Sequence, residues 1–381
     1  MVRGIAFPAT IASEPLFALQ NVRKGAFCLS GCVAGFRPMT KPLISLTAAL
    51  AISISLASPL AAQDEPAGAP SPNEIVGGAE AEEWVAIPAE DLLVMTLAPA
   101  SDGTEREVVI QLMSAPFSQG WVANIRTLAR TGWYDDITVN RVQDNYVVQW
   151  GDLNYDNPEA DGDPKLLPAG LQVMAESDYS VDGRILSQLT VSNLVAKAEF
   201  QPGEDWIAPE ESELGDEYSD LVGFHRGWPV ASTFSEYGAE TWPIHCYGMV
   251  GVGRNYSPDT GSGAELYTVI GHAPRHLDRN IALVGRVVEG MEHLSSLPRG
   301  TGALGFYTEE EADKRTPILA VRMASDLPAD ERANFEYLST EGETFARYVA
   351  ARANRRDPFF IVPAGGADIC NIPVPVRRAG E

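Results

Sequence analysis

The chain has 381 residues, of which 45% are hydrophobic, enough for one large domain or two ordinary ones. Its 52 acidic residues outnumber its 28 basic residues and give a net charge of −24. Such a surface repels phosphate backbones and anionic lipids, so the charge argues against nucleic-acid binding and against attachment to a membrane surface.

The first 62 residues read as an upstream extension followed by a secretory signal. Met39-Thr40-Lys41 is a short basic start, residues 43–56 are an apolar run, and SPLAAQDEP offers a small-residue cleavage site. The run is too short to span a bilayer comfortably. We therefore predict a signal peptide that is cleaved near Ala62 and directs the chain to the periplasm. A retained membrane anchor is the alternative.

The next residues predict a linker and then the start of a folded domain. Residues 63–84 are rich in Pro, Ala, Gly and acidic residues, which is typical of a flexible linker. A domain over residues 85–327 begins with two strands, DLLVMTLA and REVVIQLM, separated by PASDGTE as in a hairpin. Apolar residues from Trp121 to Leu128 then recur at helical spacing, which predicts a helix near residues 117–131.

The rest of the chain alternates irregular and strand-like segments. Residues 153–243 predict an irregular insertion, after which CYGMVGV, AELYTVIG, IALVGRVV and TPILAVRMA read as strands, with a short helix near 289–297. Residues 328–381 form a C-terminal extension, where Thr340 and Glu343 predict a capping box at the start of a helix. Many short strands and few helices favour an antiparallel barrel or sandwich over a doubly wound sheet.

The two downstream cysteines could form a disulfide. Cleavage of the signal would remove Cys28 and Cys32 and leave Cys246 and Cys370. An oxidising location outside the cytoplasm permits these two to pair. Two unpaired buried thiols are the alternative.

Two motifs that could suggest other chemistry are weak. DTGS at residues 259–262 matches the aspartic-protease signature, but the chain has no second copy to supply the other carboxylate. All five histidines lie within residues 225–293, yet His272 and His276, which are four residues apart, have Pro274 between them and do not read as a zinc-binding helix. We predict neither a metal site nor a cofactor.

The stretch NRVQDNYVVQWGD, residues 140–152, places a charged Arg141 and an amide Gln149 within a run of strand-forming residues. It occurs in one order with AP, VANIRTLARTGWYDD, GMVGVGR, TGSGAELYTV, HLD and LVGRVVEGM. This ordered set resembles the cyclophilin family of peptidyl-prolyl isomerases over residues 90–152 and 246–325. The resemblance implies a closed antiparallel barrel of eight strands, capped by two helices.

The same resemblance implies a function and a set of site residues. The chain would isomerise Xaa-Pro bonds of exported proteins and assist their folding, with proline-containing polypeptides as partners and no cofactor. Arg141 and Gln149 would be catalytic. The implied substrate-binding residues are Tyr146, Val147, Val250, Gly251, Glu265, Tyr267, His276 and Leu277.

Several positions depart from the family pattern and put its activity in question. Asn140 replaces a histidine, Trp150 a glycine, Glu265 a glutamine, His276 a tryptophan and Ile281 a histidine. These changes alter the rim of the expected pocket. The alternative function is therefore a non-catalytic binding or scaffolding protein that holds a partner with the insertion and the C-terminal helix.

Overall fold

The computed structural model describes residues 68–155, 162–183, 216–236 and 238–380. All of them belong to the compact unit Asp64–Glu381. The predicted upstream extension and signal, residues 1–62, lie outside the described residues, as do residues 184–215 of the predicted insertion.

Most of the regular structure is β. The strands in the described ranges are β1 (Trp84–Ala86), β2 (Leu92–Leu97), β3 (Arg106–Leu112), β4 (Ile137–Val142), β5 (Val147–Gly151), β6 (Val181–Asp182), β7 (Leu221–His225), β8 (Trp228–Ser235), β9 (Gly238–Pro243), β10 (Met249–Val252), β11 (Leu266–Val269), β12 (Leu283–Glu289), β13 (Pro317–Met323), β14 (Phe335–Leu338) and β15 (Val376–Arg378). The α-helices are α1 (Pro72–Gly77), α2 (Gln119–Arg130), α3 (Met291–Ser295) and α4 (Glu343–Ala353). Among the described residues, no helix is both long and apolar enough to cross a bilayer.

Eight antiparallel strands close into a barrel in the order β10-β11-β5-β4-β13-β2-β3-β12, which confirms the predicted architecture. Both faces of β2 are covered, because alternate residues point to opposite sides of a strand. Leu93 and Met95 belong to the main core, whereas Leu92 packs in a separate cluster with Val109 and Phe335. This double burial explains why the β2 sequence is nearly all apolar.

The two predicted cap helices are α2 and α3. On α2, Trp121, Ile125 and Leu128 are fully buried in the main core, as their helical spacing predicts. The shorter α3 contributes the fully buried Leu294 to the same core.

The insertion is more regular than predicted. Its described part contains a four-stranded antiparallel sheet in the order β6-β9-β8-β7, so the expectation of an irregular segment is wrong there. Strands β7 and β8 form a tight hairpin in which Arg226 and Gly227 have φ of +46° and +82°. Two consecutive residues with positive φ form the turn that matches strand twist in a two-residue hairpin.

Arg286 on β12 joins the insertion to the barrel and to the C-terminal extension. Its guanidinium donates to Gln111 Oε1 on β3 and to the Gly227 carbonyl of the hairpin turn, both at 2.8 Å. It also lies over the rings of Trp228 and Tyr337. Burial lowers the pKa of Arg286 to about 10, so the side chain stays charged at neutral pH. Three separate parts of the chain therefore meet at one buried cation.

The predicted linker is structured over the residues described. Ser71 and Glu74 form a reciprocal capping box that starts α1, and Ile75 is buried in the main core. Helix α1 packs on α4, and β1 pairs with β14. The short helix is stable because it buries an apolar side chain against the C-terminal extension, a contact that composition cannot indicate.

The C-terminal extension contains α4 as predicted, together with β14 and β15, but the predicted capping box is wrong. Gly342 is the residue before the helix, and it makes no side-chain cap. Thr340 instead accepts a hydrogen bond from the Gly227 N–H and donates to Glu341. The threonine is used to hold the insertion hairpin.

Cys246 and Cys370 form a disulfide that closes a loop of 124 residues. Cys246 follows His245 beside β10, and Cys370 lies in the C-terminal extension. The bond therefore fixes the end of the chain to the barrel.

Reduction of this disulfide should lower the free energy of unfolding by about 3–5 kcal/mol, because a long loop gains entropy in the unfolded chain. Denaturant unfolding with and without a thiol reductant measures the change. The double variant Cys246→Ala/Cys370→Ala is the control and should not respond to reductant. An equal response in both proteins would contradict the prediction.

Candidate active site

Strands β4 and β5 place Arg141 and Gln149 opposite each other at one end of the barrel. The two strands are antiparallel, and these residues are direct partners in the ladder. An extra residue, Asn140, shifts the register between Val139 and Arg141. Asn140 turns inward and donates to the Gly151 carbonyl at 3.0 Å. Bulges of this kind redirect the following side chain, and here Arg141 turns towards a groove.

The Arg141 guanidinium is held by three neutral acceptors. Its Nη1 donates to Gln149 Oε1 at 3.1 Å, its Nε to the Leu304 carbonyl at 2.7 Å, and its Nη2 to Gln143 Oε1. The rings of Tyr146 and Phe306 lie 5.6 and 5.5 Å from its central carbon. Within the described residues no carboxylate forms an ion pair with it, so its charge is oriented but not neutralised. Burial lowers the pKa of Arg141 below its ordinary value.

The groove beside Arg141 has a volume of about 460 Å³ and an apolar floor. Val147 and Tyr267 are buried in a cluster with Val269, and Leu277 and Ile281 pack against them. Gln149 faces the same side as Val147 because residues two apart share one face of a strand. The residues lining the groove are Arg141, Tyr146, Val147, Gln149, Gly253, Arg254, Asn255, Tyr256, Tyr267, Leu277, Ile281, Leu304 and Phe306.

Not every sequence-predicted site residue lies on this groove. Arg141, Gln149, Tyr146, Val147, Tyr267 and Leu277 do line it. His276 is exposed and stacks on Tyr146, with ring centroids 6.2 Å apart, so it lies at the rim.

Val250, Gly251 and Glu265 do not line the groove. Val250 is buried in the barrel core, and a Cβ on Gly251 would lie 2.3 Å from the Tyr267 hydroxyl oxygen. The Glu265 side chain is buried over Gly151, where a Cβ would approach its carboxylate to 1.7 Å. The groove uses residues 253–256 instead, because β10 ends at Val252 and the chain then runs along the opening.

A buried chain of polar side chains lies beneath the floor, and the sequence did not predict it. The Tyr267 hydroxyl donates to His245 Nε2 at 2.8 Å, and His245 Nδ1 donates to Asp278 Oδ1 at 2.8 Å. Asp278 accepts a hydrogen bond from Arg275 Nε at 2.6 Å. Both terminal nitrogens of Arg275 donate hydrogen bonds to the Asp216 carboxylate. The HLD motif and the histidine cluster contained two of these residues, but spacing alone could not join them.

This network fixes the protonation of its members. Burial lowers the pKa of His245 below its ordinary value of 6.5 despite the neighbouring Asp278. Burial raises the pKa of Asp278, but the hydrogen bonds and charges of His245 and Arg275 outweigh it and bring the pKa below its ordinary value. Burial raises the pKa of Tyr267 well above its ordinary value. The histidine is therefore neutral and the tyrosine protonated at neutral pH.

A second cavity, of about 360 Å³, is lined mainly by polar and charged residues, among them Glu176, Glu240 and Arg279. It has no apolar floor comparable to the Arg141 groove. In the described part of the chain, no group of three or more His, Cys, Asp or Glu side chains could hold a metal ion.

Comparisons with known proteins agree with this geometry. The family described as cyclophilin type peptidyl-prolyl cis-trans isomerase/CLD matches residues 105–324. The chain is similar in fold to cyclophilin AquaCyp293 from Hirschia baltica, with a TM-score of 0.54, 20% identity, and coverage of 77% of this chain and 93% of that one.

A more distant similarity is to a Cryptosporidium parvum cyclophilin-type isomerase crystallised in the presence of the dipeptide Ala-Pro. It has a TM-score of 0.31 and 11% identity, with coverage of 60% of this chain and 98% of that one. Among curated proteins, none matches the sequence significantly.

Tyr267→Phe should lower the free energy of unfolding by about 1–3 kcal/mol, because it leaves the buried His245 Nε2 without a donor. Tyr247→Phe, at a tyrosine that is 53% exposed, is the matched control and should leave stability unchanged. Denaturant unfolding of both variants measures the difference. If Tyr267→Phe unfolds like the wild type, the hydrogen bond to His245 carries no net stability.

Stability should also fall as the pH drops below about 6.5. The unfolded chain protonates His245 near that pH, whereas the folded chain resists protonation because its pKa is lowered, so acid favours unfolding. Unfolding free energies between pH 8 and pH 5 measure the slope. His245→Asn should reduce this slope, and His272→Asn, at an exposed histidine, is the control for loss of a surface histidine. Equal slopes in all three proteins would exclude His245 as the cause.

Proposed function

The chain belongs to the cyclophilin-type peptidyl-prolyl cis-trans isomerase family, and from that membership we propose that it rotates Xaa-Pro bonds of exported proteins and assists their folding. The observation that carries the proposal is the Arg141 guanidinium, oriented by neutral acceptors at the edge of an apolar groove. The groove offers space for a proline ring, and the guanidinium offers a hydrogen-bond donor with a fixed direction.

Rotation about a prolyl amide needs no proton transfer, metal or covalent step. The barrier is the loss of the partial double bond, about 18–20 kcal/mol for a peptide bond. In the twisted amide the nitrogen lone pair is no longer delocalised and becomes a hydrogen-bond acceptor. A donor that bonds to this nitrogen stabilises the twisted state more than the planar one, which is the condition for catalysis.

Arg141 can supply that donor, and its neighbours keep it in place. Each terminal nitrogen of a guanidinium carries two hydrogens, so a nitrogen that donates to Gln149 or Gln143 retains another for a ligand. Val147, Tyr267 and Leu277 would hold the proline ring through apolar contact. Gln149 would position Arg141 and reach the substrate backbone.

The rival function is a non-catalytic binding or scaffolding protein. It would be favoured if the insertion covered Arg141. No residue of the insertion that the structure describes lines the groove. Its described contacts lie elsewhere, with Asp216 on Arg275 and Gly227 on Arg286. This arrangement favours the enzyme and leaves the insertion and α4 free to bind a protein partner.

Export to the periplasm, with removal of residues 1–62, is part of the same proposal. The Cys246–Cys370 disulfide supports it, because structural disulfides form and persist in oxidising compartments. The proposed clients are therefore proline-containing polypeptides outside the cytoplasm.

Arg141→Ala should lower kcat/KM for a short Xaa-Pro peptide by about 100-fold or more, since it removes the donor to the twisted amide. Arg141→Lys should retain little of the wild-type kcat/KM, because an ammonium lacks the planar fork that Gln149 and Leu304 orient. The measurement is peptide isomerisation by the chain from about Gln63 onward.

The exposed Arg356→Ala in the C-terminal extension is the matched control and should retain full activity. Acceleration that survives in Arg141→Ala would place the site elsewhere. A folded wild type that accelerates no peptide would support the binding function instead.

A further inference from the structure

The turn that holds Arg141 is fixed along β4 on both sides of that residue. The Gly300 N–H donates to the Val142 carbonyl at 3.0 Å, and the Tyr307 N–H donates to the Asn140 carbonyl at 3.0 Å. Phe306 forms an isolated bridge with Arg141 itself. Residues 300–307 therefore lie beside the catalytic strand as one wall of the groove.

Leu304 occupies an unfavourable position in this turn. Its φ and ψ are 55° and 15°, in the left-handed region that a branched side chain avoids. The left-handed conformation is less favourable than the right-handed one for any residue with a Cβ, because the Cβ comes too close to the following carbonyl oxygen. Glycine or asparagine would fit the turn better, so the backbone does not explain why leucine stands here.

Burial does not explain the leucine either. Leu304 is 64% exposed and lies on the groove. Only its carbonyl, which any residue would provide, is used to hold Arg141. An apolar side chain held in solvent at a strained position beside a binding groove indicates a contact with a ligand.

The surrounding residues hold the turn rigidly in place. Gly305 has φ of +82°, and a Cβ there would lie 2.8 Å from the Gln143 Cα, so the turn presses directly on the chain after β4. Glu311 accepts from the Thr301 and Thr308 N–H groups at 3.0 and 3.2 Å and thereby joins the two ends of the turn. The backbone that carries the Leu304 side chain is therefore fixed in position.

We propose that Leu304 is a specificity-determining residue that contacts an apolar side chain next to the substrate proline. The inference rests on the proposed isomerase function and adds a substrate class to it: Xaa-Pro segments in which a large apolar residue flanks the proline. The rings of Phe306 and Tyr146, which both lie near the Arg141 guanidinium, extend the same apolar surface along the groove.

The test compares Leu304→Ala and Leu304→Gly with the wild type on matched proline peptides. One series places Leu, Ala or Glu before the proline, and a second series places them after it. The wild type should prefer Leu in one series, and in both variants the ratio of kcat/KM for the Leu peptide to kcat/KM for the Ala peptide should fall about 5-fold or more. Leu319→Ala, at a leucine that is 46% exposed on β13, is the control and should keep the preference.

Peptide binding, measured by calorimetry with the same series, separates failure of this inference from failure of the function. An active wild type with no preference for Leu overturns the inference and leaves the isomerase standing. An equal loss on all peptides in Leu304→Ala shows a purely structural role and also overturns it. If the wild type turns over no peptide, the proposed function fails, and the inference survives only if Leu peptides still bind more tightly through Leu304.

Glu311→Gln provides a second variant that does not alter the side chain in the groove. Loosening the two ends of the turn should lower kcat on all peptides equally and leave the ratio between Leu and Ala peptides unchanged. A change in that ratio would show that the whole turn, and not the Leu304 side chain, sets the preference, and would overturn the proposal.

Discussion

The site depends on a guanidinium that is held without a carboxylate. Gln149, Gln143 and the Leu304 carbonyl orient Arg141 and leave its charge available. A carboxylate partner would occupy two donors and neutralise the charge that the proposed reaction would use on the twisted amide. The bulge at Asn140 is what turns Arg141 towards these acceptors. The arrangement has a cost in desolvation, which the lowered pKa of Arg141 reflects.

The floor of the groove is held by a hydrogen-bond network whose charged side chains lie deeper in the molecule. Tyr267 gives the floor its ring, and its hydroxyl points away from the opening to the neutral His245. The ionised Asp278 follows His245 in the network and forms an ion pair with Arg275. Arg275 in turn forms an ion pair with Asp216 of the insertion. Each polar side chain of this network has a hydrogen-bond partner, so the Tyr267 ring is fixed while the charges of the network stay out of the groove.

The insertion and the C-terminal extension are attached to the barrel through polar and covalent contacts as well as apolar packing. Arg286 donates to the Gly227 carbonyl of the hairpin turn of the insertion, and Thr340 accepts from the Gly227 N–H of the same turn. The disulfide fixes the last part of the chain. In the described residues these attachments lie away from the groove. A long insertion is thus compatible with an open site.

The sequence by itself determined the barrel, the cap helices and the core of the site. Strand patterning and ordered motifs are local properties, and they predicted Arg141, Gln149, Val147 and Tyr267 as site residues. The structure places all four on one groove. The sequence failed where partners are distant along the chain. Ile75 stabilises a helix in the predicted linker only because α4 covers it. Thr340 serves a hairpin more than a hundred residues earlier and not its own helix.

Only the tertiary structure decided the network under the floor and the wall beside Arg141. His245 and Tyr267 are joined across a separation of 22 residues, and Arg141 and Leu304 across 163. No periodicity encodes such pairs, because they depend on which strands become neighbours when the barrel closes. Glu265, aligned by motif to a binding position, is buried over Gly151 instead. Side-chain alternation does not predict this placement, because Glu265 lies two residues before Tyr267, which lines the groove.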